Sequence, residues 1–257
     1  KDKVVLFRSD TKDALGVVSD SYKVVQPKEV LEFFRDWATA GGMTIESAGV
    51  LFGGKRYFAT AKLAEGVCVD GYSDKVVPYA LLSTSSDGSL ATEARWTTVR
   101  VVCNNTLTLS LNTRVEKMVK VDHRREFDGE VVKEALGVAK DKLAKYKEMA
   151  QFLGSKKAKE EDIVEYFTRI FPVSGSSENK RKEISKSAQT ALDILHTQPG
   201  AEYAEGTWWQ PFNAVTYLTD HLAGRSADTR LTSAWYGYNK GVKTKALELA
   251  VEMAEAA

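Results

Sequence analysis

A pair of glycines, Gly53-Gly54, separates two runs rich in β-branched and aromatic residues, Ile45 to Phe52 and Lys55 to Ala64. A two-residue Gly-Gly loop suits a type I′ turn, because that turn needs a positive φ at both positions. The pattern therefore predicts an antiparallel β-hairpin in the first half of the chain.

Other signals in the first half also indicate mixed α and β structure. Lys3 to Phe7 and Leu15 to Val25 are short β-rich runs. Pro27, which the first turn of a helix tolerates, precedes apolar residues at helical spacing, and Gly41-Gly42 ends that pattern. We expect two strands followed by a helix.

A second hairpin is predicted where Val76 to Thr84 and Leu90 to Thr98 flank a loop with the turn-forming pair Asp87-Gly88. The next segment is ambiguous, since its β-branched residues favour a strand. Its apolar positions, however, follow the 3, 1, 3, 1, 3 spacing of a helix face; they are Val99, Val102, Cys103, Thr106, Leu107 and Ser110. We therefore expect a helix here, capped by Thr97 or Thr98.

The second half is predicted to be helical. An apolar seam recurs at spacings of 4, 3, 4, 3, 4, 3 through Val132, Leu136, Ala139, Leu143, Tyr146, Ala150 and Leu153. Gly154-Ser155 should end that helix, and a shorter one within Lys156 to Ile170 should start around the acidic Glu160-Glu161-Asp162. Residues 172–179 form a candidate flexible loop. Later helices are expected around Ile184 to Leu195, Trp208 to Leu222, Asp228 to Tyr236 and Val242 to Ala257.

These patterns predict an α+β fold in which a bent antiparallel sheet with hairpins packs on a helix, followed by a mostly helical C-terminal half. We expect three segments: a β-rich core over residues 1–112, a basic helical segment over 113–192, and C-terminal helices over 193–257. The last segment is dense in aromatic residues, whose helical spacing predicts that most are buried in a core.

The composition indicates the cellular compartment in which the protein is expected. No apolar run approaches the roughly 20 residues that a membrane span requires, and the N-terminus has no signal-peptide pattern. Cys68 and Cys103 are the only cysteines, which favours free thiols in a reducing cytoplasm. We expect a cytoplasmic protein that does not enter membranes.

The net charge of +1 hides an uneven distribution. Basic and acidic residues number 13 and 13 in residues 1–112, 18 and 14 in 113–192, and 5 and 8 in 193–257. The positive central segment includes the nucleic-acid-binding candidates Lys140, Lys145, Lys156 and Lys157. Lysine clusters suit a groove that follows phosphates. Because acidic residues are interleaved, an ordinary solvated helix face remains the alternative.

The hairpins provide better-shaped candidates for nucleic-acid binding. Lys55, Arg56 and Tyr57 lie beside the first turn, and Arg95, Trp96 and Arg100 belong to the second hairpin. Basic side chains there can hold phosphates while aromatic rings stack on bases.

Motifs for catalysis and metal binding are sparse. The sequence has no Walker loop, no G-x-S-x-G elbow, no Cys-x-x-Cys pair and no H-x-x-x-H pair. The cluster Asp220, His221, Arg225 and Asp228 could be catalytic, but a helix end at Gly224 explains it better. We expect no cofactor, no metal and no enzymatic activity.

Several longer motifs resemble an uncharacterised domain family known as phage/plasmid-like proteins. They are Phe7-Arg8-Ser9-Asp10-Thr11, Leu15 to Ser19, Tyr22 to Pro27, Leu82 to Ser89, Val99 to Leu107, Phe212 to Thr216, Asp220-His221 and Arg225 to Gly237. Ser86 departs from the histidine expected in many members. The resemblance implies a gene on phages or plasmids, a bacterial cytoplasm and a place in DNA metabolism, but no established activity.

The expected architecture is also similar to that of phage single-strand annealing proteins of the RecT, Erf and Sak types. That similarity implies a homo-oligomer, as a ring or filament, that holds single-stranded DNA without a cofactor. We therefore predict a single-stranded-DNA-binding and strand-annealing protein of DNA recombination. The alternatives are a phage interaction or assembly protein that does not bind DNA, and an enzyme that uses the Asp220 cluster.

Overall fold

A computed structural model of the chain describes residues 2–22, 24, 26–63, 67–68, 74–90, 92–100, 105–109, 129–173 and 184–256. Of residues 67–68, 93, 100, 105–109, 129–140 and 142 it describes the backbone alone. The chain falls into two compact units. The first unit comprises Lys1–Glu65, Pro78–Thr97 and Leu109–Lys142, and the second comprises Gly66–Val77, Thr98–Thr108 and Leu143–Ala257. The three consecutive segments predicted from composition remain a prediction.

The first unit begins with a small sheet of its own. Strands β1 (Lys3–Phe7) and β2 (Ala14–Ser19) pair antiparallel, with Val5 opposite Val17 and Phe7 opposite Ala14. Helix α1 (Pro27–Ala40) follows, with Pro27 in its first turn and Gly42 in a left-handed conformation just beyond its end. The predicted strands and helix are confirmed.

The larger sheet contains β3 (Thr44–Leu51), β4 (Arg56–Lys62), β5 (Val67–Cys68), β6 (Lys75–Ser85), β7 (Glu93–Arg100) and β8 (Asn105–Leu109). Its strand order is β3-β4-β6-β7-β8, with β5 paired to β6. Both predicted hairpins are present. In the first, β3 and β4 pair antiparallel from Thr44 opposite Lys62 to Leu51 opposite Arg56.

Helix α1 packs on one face of this sheet within the first unit. Val30, Phe34 and Trp37 face small side chains of the strands, which let the helix approach closely. The sheet residues of this core are Ala59, Ala61, Ala80, Leu82 and Trp96. Because side chains alternate along a strand, Arg56, Phe58 and Thr60 lie on the opposite face from Ala59. The predicted packing of a sheet on a helix is confirmed, and the fold is α+β.

The helix predicted over Val99 to Ser110 is wrong. β7 runs through to Arg100 and β8 occupies Asn105–Leu109, while Thr97 and Thr98 are buried strand residues rather than caps. β-branched side chains are restricted about χ1 in a helix and fit a pleated sheet well. Over so short a run, this preference outweighs an apolar spacing that strands and helices can share.

The helical half is confirmed, with adjusted boundaries. The elements are α2 (Gly129–Ser155), α3 (Glu160–Ile170), α4 (Lys186–Ile194), α5 (Trp209–Tyr217), a π-helical turn (Leu218–Leu222), α6 (Ala227–Tyr236) and α7 (Tyr238–Ala256). α3 begins at Glu160, among the acidic residues where this helix was predicted to start, and Lys157 before it forms a β-bridge with Thr207. Most of the predicted loop 172–179 lies outside the described residues, as does Cys103.

Aromatic rings fill the core of the second unit. Tyr166 and Trp208 are completely buried, 5.7 Å apart edge to face, and Trp209 packs on Phe212 at 5.4 Å. The Tyr166 hydroxyl donates to the carbonyl oxygen of Ala246, and burial raises the pKa of this tyrosine. The predicted aromatic core is confirmed for these tryptophans, whereas Tyr238 is exposed. Among the described residues, no helix combines the length and apolarity needed to cross a bilayer.

Candidate nucleic-acid interface

The structure brings Lys55, Arg56 and Tyr57 together at one end of the β3–β4 hairpin. Arg95 and Trp96 also lie in the first unit, on β7, whereas Lys145, Lys156 and Lys157 belong to the second unit. The side chains of Arg100 and Lys140 lie outside the described part of the chain.

The hairpin turn is longer and more strained than predicted. Four residues, from Phe52 to Lys55, connect the strands, and three consecutive φ angles are positive: 52° at Phe52, 66° at Gly53 and 103° at Gly54. Positive φ is uncommon for residues other than glycine and asparagine and is costly for a bulky side chain. The turn therefore stores backbone strain at Phe52.

Arg56 is positioned against the ring of Phe52. Its Cζ atom lies 5.0 Å from the centroid of the Phe52 ring, and its Nε donates to Ser89 Oγ at 3.2 Å. Burial raises the pKa of Asp87, but hydrogen bonds from Ser89 and Ser85 and the positive charge of Arg56 outweigh that effect and lower it. Arg56 is half-buried and Lys55 beside it is exposed, so the turn offers a fixed cation, a ring and a mobile cation. We call Phe52, Lys55 and Arg56 the hairpin-end surface.

Arg8 lies at this end of the hairpin, although the sequence patterns did not indicate it as a binding residue. Its Nη2 and Nε donate to the two carboxylate oxygens of Asp10 at 2.6 and 3.0 Å, and its Nη1 donates to the carbonyl oxygen of Gly53 at 3.2 Å. The paired guanidinium lowers the pKa of Asp10 well below its usual value. Arg8 thus links the β1–β2 hairpin to the β3–β4 turn. Its only sequence signal is its place in the motif Phe7 to Thr11.

A cavity of about 600 Å³ lies beside this arginine, and we call it the N-terminal pocket. Its walls come from β1 and the loop after it, β2, the start of α1, the facing ends of β3 and β4, and Ser86 just after β6. Apolar side chains such as Val5, Leu15 and Val50 line much of it. Tyr57 also lines the pocket, where its hydroxyl oxygen accepts a hydrogen bond from Ser86 Oγ at 3.3 Å.

Trp96 does not fit its predicted stacking role. It is only 5% exposed and packs 5.9 Å from Trp37 in the core under α1. A base could stack on this ring only after the core opened, so we remove Trp96 from the candidate site. Arg95, its neighbour on β7, is half-buried.

The candidate lysines Lys145, Lys156 and Lys157 belong to the second unit, where only Lys145 lies within a helix. Lys145 is exposed on α2, and the exposed Lys156 places its Nζ 5.3 Å from the Phe152 ring. Lys157 is also exposed, but the first turn of α3 is acidic and begins three residues later, with Glu160, Glu161 and Asp162. Neighbouring acids reduce the field that these lysines present to a phosphate.

The Asp220 cluster is organised around a buried ion pair. Asp220 lies on the π-helical turn and accepts a hydrogen bond from Lys243 Nζ at 2.6 Å, with side chains 5% and 0% exposed. Burial lowers the pKa of Lys243, although Asp220 opposes that shift. His221 stacks on Tyr217 at 4.7 Å, and Arg225 is exposed. No local pattern singles out Lys243, which lies 23 residues from its partner in the sequence.

Among the described residues, no three or more His, Cys, Asp or Glu side chains group closely enough to hold a metal ion.

Comparison with known proteins identifies one family. No curated protein and no solved structure matches the chain, so the expected likeness to phage annealing proteins remains a prediction. A family model described as "Domain of unknown function (DUF932)" matches residues 14–235. That span contains the hairpin-end surface, whereas Arg8 precedes it and Lys243 follows it. Because the match covers most of the sequence, the chain belongs to the DUF932 family.

Proposed function

We propose that this protein binds single-stranded DNA through the hairpin-end surface and acts as an oligomeric strand-annealing protein of phage or plasmid origin in a bacterial cytoplasm. The observation that carries the proposal is the placement of Arg56, which Ser89 and the Phe52 ring hold beside the exposed Lys55. A fixed guanidinium beside a ring suits a phosphate and an adjacent base.

Charge balance explains why this end of the first unit would hold a strand weakly. Arg8 is engaged with Asp10, so its charge is largely neutralised and we assign it no phosphate. Lys55 and Arg56 remain as the phosphate contacts of each protomer. With two contacts, the logarithm of affinity should fall with the logarithm of salt at a slope of about −1.4 per protomer.

Oligomerisation would convert such weak contacts into useful affinity. When several protomers engage one strand, each later contact is intramolecular and benefits from a high effective concentration. Annealing requires that strands be held and aligned, and it makes or breaks no covalent bond. The proposal therefore needs only repeated, salt-sensitive contacts.

Anisotropy of a fluorescent single strand of about 30 nucleotides, at about 50 and about 200 mM salt, tests the proposal. We expect the double variant K55A/R56A to bind about tenfold more weakly at the lower salt. The matched control is K28A/R35A, which removes the same charge from exposed positions on α1 in the same unit. Absence of binding at low salt, or equal weakening in both variants, would refute the proposal.

A second candidate function, assembly with protein and without DNA, is favoured by the exposed apolar side chains of the β1–β2 hairpin. Val5, Phe7 and Val17 are 57%, 58% and 63% exposed, and Val5 pairs directly with Val17. Contiguous exposed apolar side chains commonly mark protein interfaces. Light scattering that shows a defined oligomer, together with no binding of the fluorescent strand, would favour this candidate over the first.

A further inference from the structure

The N-terminal pocket combines features that select a neutral, planar, polar-edged ligand. Its volume of about 600 Å³ lies within the range of about 300–1,000 Å³ typical of small-molecule sites. Val5, Leu15 and Val50 supply an apolar wall on which a flat ring can rest. Such sites combine apolar walls with a few fixed polar groups that set orientation.

Arg8 supplies the fixed polar edge. Its bonds to Asp10 and to the carbonyl oxygen of Gly53 use three of the five N–H groups of a guanidinium. These bonds hold the group in place without ligand, so its remaining N–H groups can donate with little loss of side-chain freedom. The hydroxyl pair of Tyr57 and Ser86 adds a further hydrogen-bonding group to the lining.

The charge state of this edge decides between ligand classes. Because Asp10 neutralises Arg8, a second anion such as a phosphate gains little net attraction there. A neutral acceptor, such as a carbonyl oxygen or ring nitrogen, loses less hydration and can still accept from the guanidinium. An apolar ring with carbonyl and ring-nitrogen acceptors at its edge is the chemistry of a nucleobase.

The neighbouring residues connect the pocket to the hairpin-end surface. Gly54 and Tyr57 line the pocket, and Lys55 and Arg56 lie between them in the sequence. A side chain at Gly54 would place its Cβ 3.0 Å from Arg8, so the glycine is needed for this close approach. Tyr57 lies on the opposite face of β4 from Arg56, so it is a strand whose phosphate lies on Lys55, in the turn next to Gly54, that has the pocket beside it.

We propose that the N-terminal pocket receives one unpaired nucleobase of the bound strand, with Arg8 as the group that donates to its edge. This inference rests on the proposed function, because the hairpin-end surface must hold the strand. Unlike that function, it predicts that binding depends on bases as well as on phosphates.

The test compares a thymidine strand with an abasic strand of the same length, about 30 units. The wild-type protein should bind the thymidine strand about tenfold more tightly. V50W, which fills the pocket from an exposed position on β3, should abolish that difference. The control I45W adds the same side chain at an exposed position on the same strand, outside the pocket lining, and should keep it.

The outcomes separate the two proposals. If the wild-type protein binds both strands equally, or if V50W keeps the difference, the pocket inference is wrong while the proposed function stands. If neither strand binds, both are wrong. Free thymidine, titrated by calorimetry, distinguishes the source of the base. If thymidine binds in a V50W-sensitive way while both strands bind equally, the pocket takes a free nucleoside and the inference is again wrong.

Discussion

The two units differ in how completely their packing encloses side chains. In the second unit large rings fill the core, and even a lysine, Lys243, is enclosed with its partner carboxylate. In the first unit a helix packs on small alanines, while Val5, Phe7 and Val50 stay exposed around a cavity of about 600 Å³. Binding sites are concave and partly apolar, whereas a filled core leaves no room for a ligand. The contrast supports the proposal that the first unit binds the ligand while the second gives structural support.

The largest effect should come from breaking the enclosed ion pair of the second unit. K243M leaves the Asp220 carboxylate buried without its partner, which we expect to cost about 3–5 kcal/mol in the free energy of unfolding. Denaturant unfolding measures this cost, and peptide-resolved hydrogen exchange should place the loss in the second unit. The exposed neighbour K245M removes only a surface hydrogen bond from Lys245 Nζ to the carbonyl oxygen of Arg169 and should cost about 1 kcal/mol or less.

The double variant D220L/K243M sharpens the same point. Replacing both members of a buried pair with apolar side chains of similar size is often neutral. We expect it to recover most of the stability lost in K243M. If K243M and K245M cost the same, the pair contributes nothing and the second unit is not the rigid support that the comparison requires.

A smaller effect should appear at the glycine turn of the first unit. G53A and G54A both place an alanine at positive φ, which costs about 1 kcal/mol or more. At Gly53 a Cβ meets nothing within 4 Å, whereas at Gly54 it lies 3.0 Å from Arg8. We expect G54A to be about 1 kcal/mol less stable than G53A by thermal unfolding, because Arg8 must leave its bonds. Equal stabilities would show that Arg8 is not held tightly enough to present a fixed donor.

Local sequence patterns predicted most helices and strands, and the one element they assigned wrongly has a physical explanation. Gly53-Gly54 and Asp87-Gly88 located both hairpins, because turn chemistry acts over a few residues. The strand at Asn105–Leu109 was predicted as part of a helix, because a short apolar run fits both the two-residue period of a strand and the 3.6-residue period of a helix.

The site itself depends on contacts that no local pattern contains. Arg8 donates a hydrogen bond to the carbonyl oxygen of Gly53, which lies 45 residues later in the sequence, so the spacing of residues could not reveal this contact. Trp96 looked available for stacking because the sequence does not say which face of a strand a helix will cover. The hairpin cations Lys55 and Arg56, in contrast, remain candidates, because a basic pair beside a turn is a local signal and the fold keeps both residues beside the turn.

The smallest expected effect is a change in the loss of stability at alkaline pH, which should involve a tyrosine of the first unit and not one of the second. In the first unit, burial, helped by a hydrogen bond with Glu46, raises the pKa of Tyr79 to about 12, whereas an unfolded tyrosine titrates near 10. Because the folded state keeps this proton longer, the stability that Tyr79 contributes is full below about pH 10 and is lost between about 10 and 12. Y79F should reduce the alkaline loss of stability in the first unit by less than about 1 kcal/mol, since the group is partly exposed. Hydrogen exchange at several alkaline pH values measures this. The alkaline loss of stability in the second unit, where Tyr166 is buried, is the internal control and should be the same in Y79F and in the wild type.

E46Q should have a smaller effect of the same sign on the alkaline loss of stability, because burial is the larger cause of the raised pKa of Tyr79. An effect equal to that of Y79F would assign the pKa shift to the hydrogen bond instead.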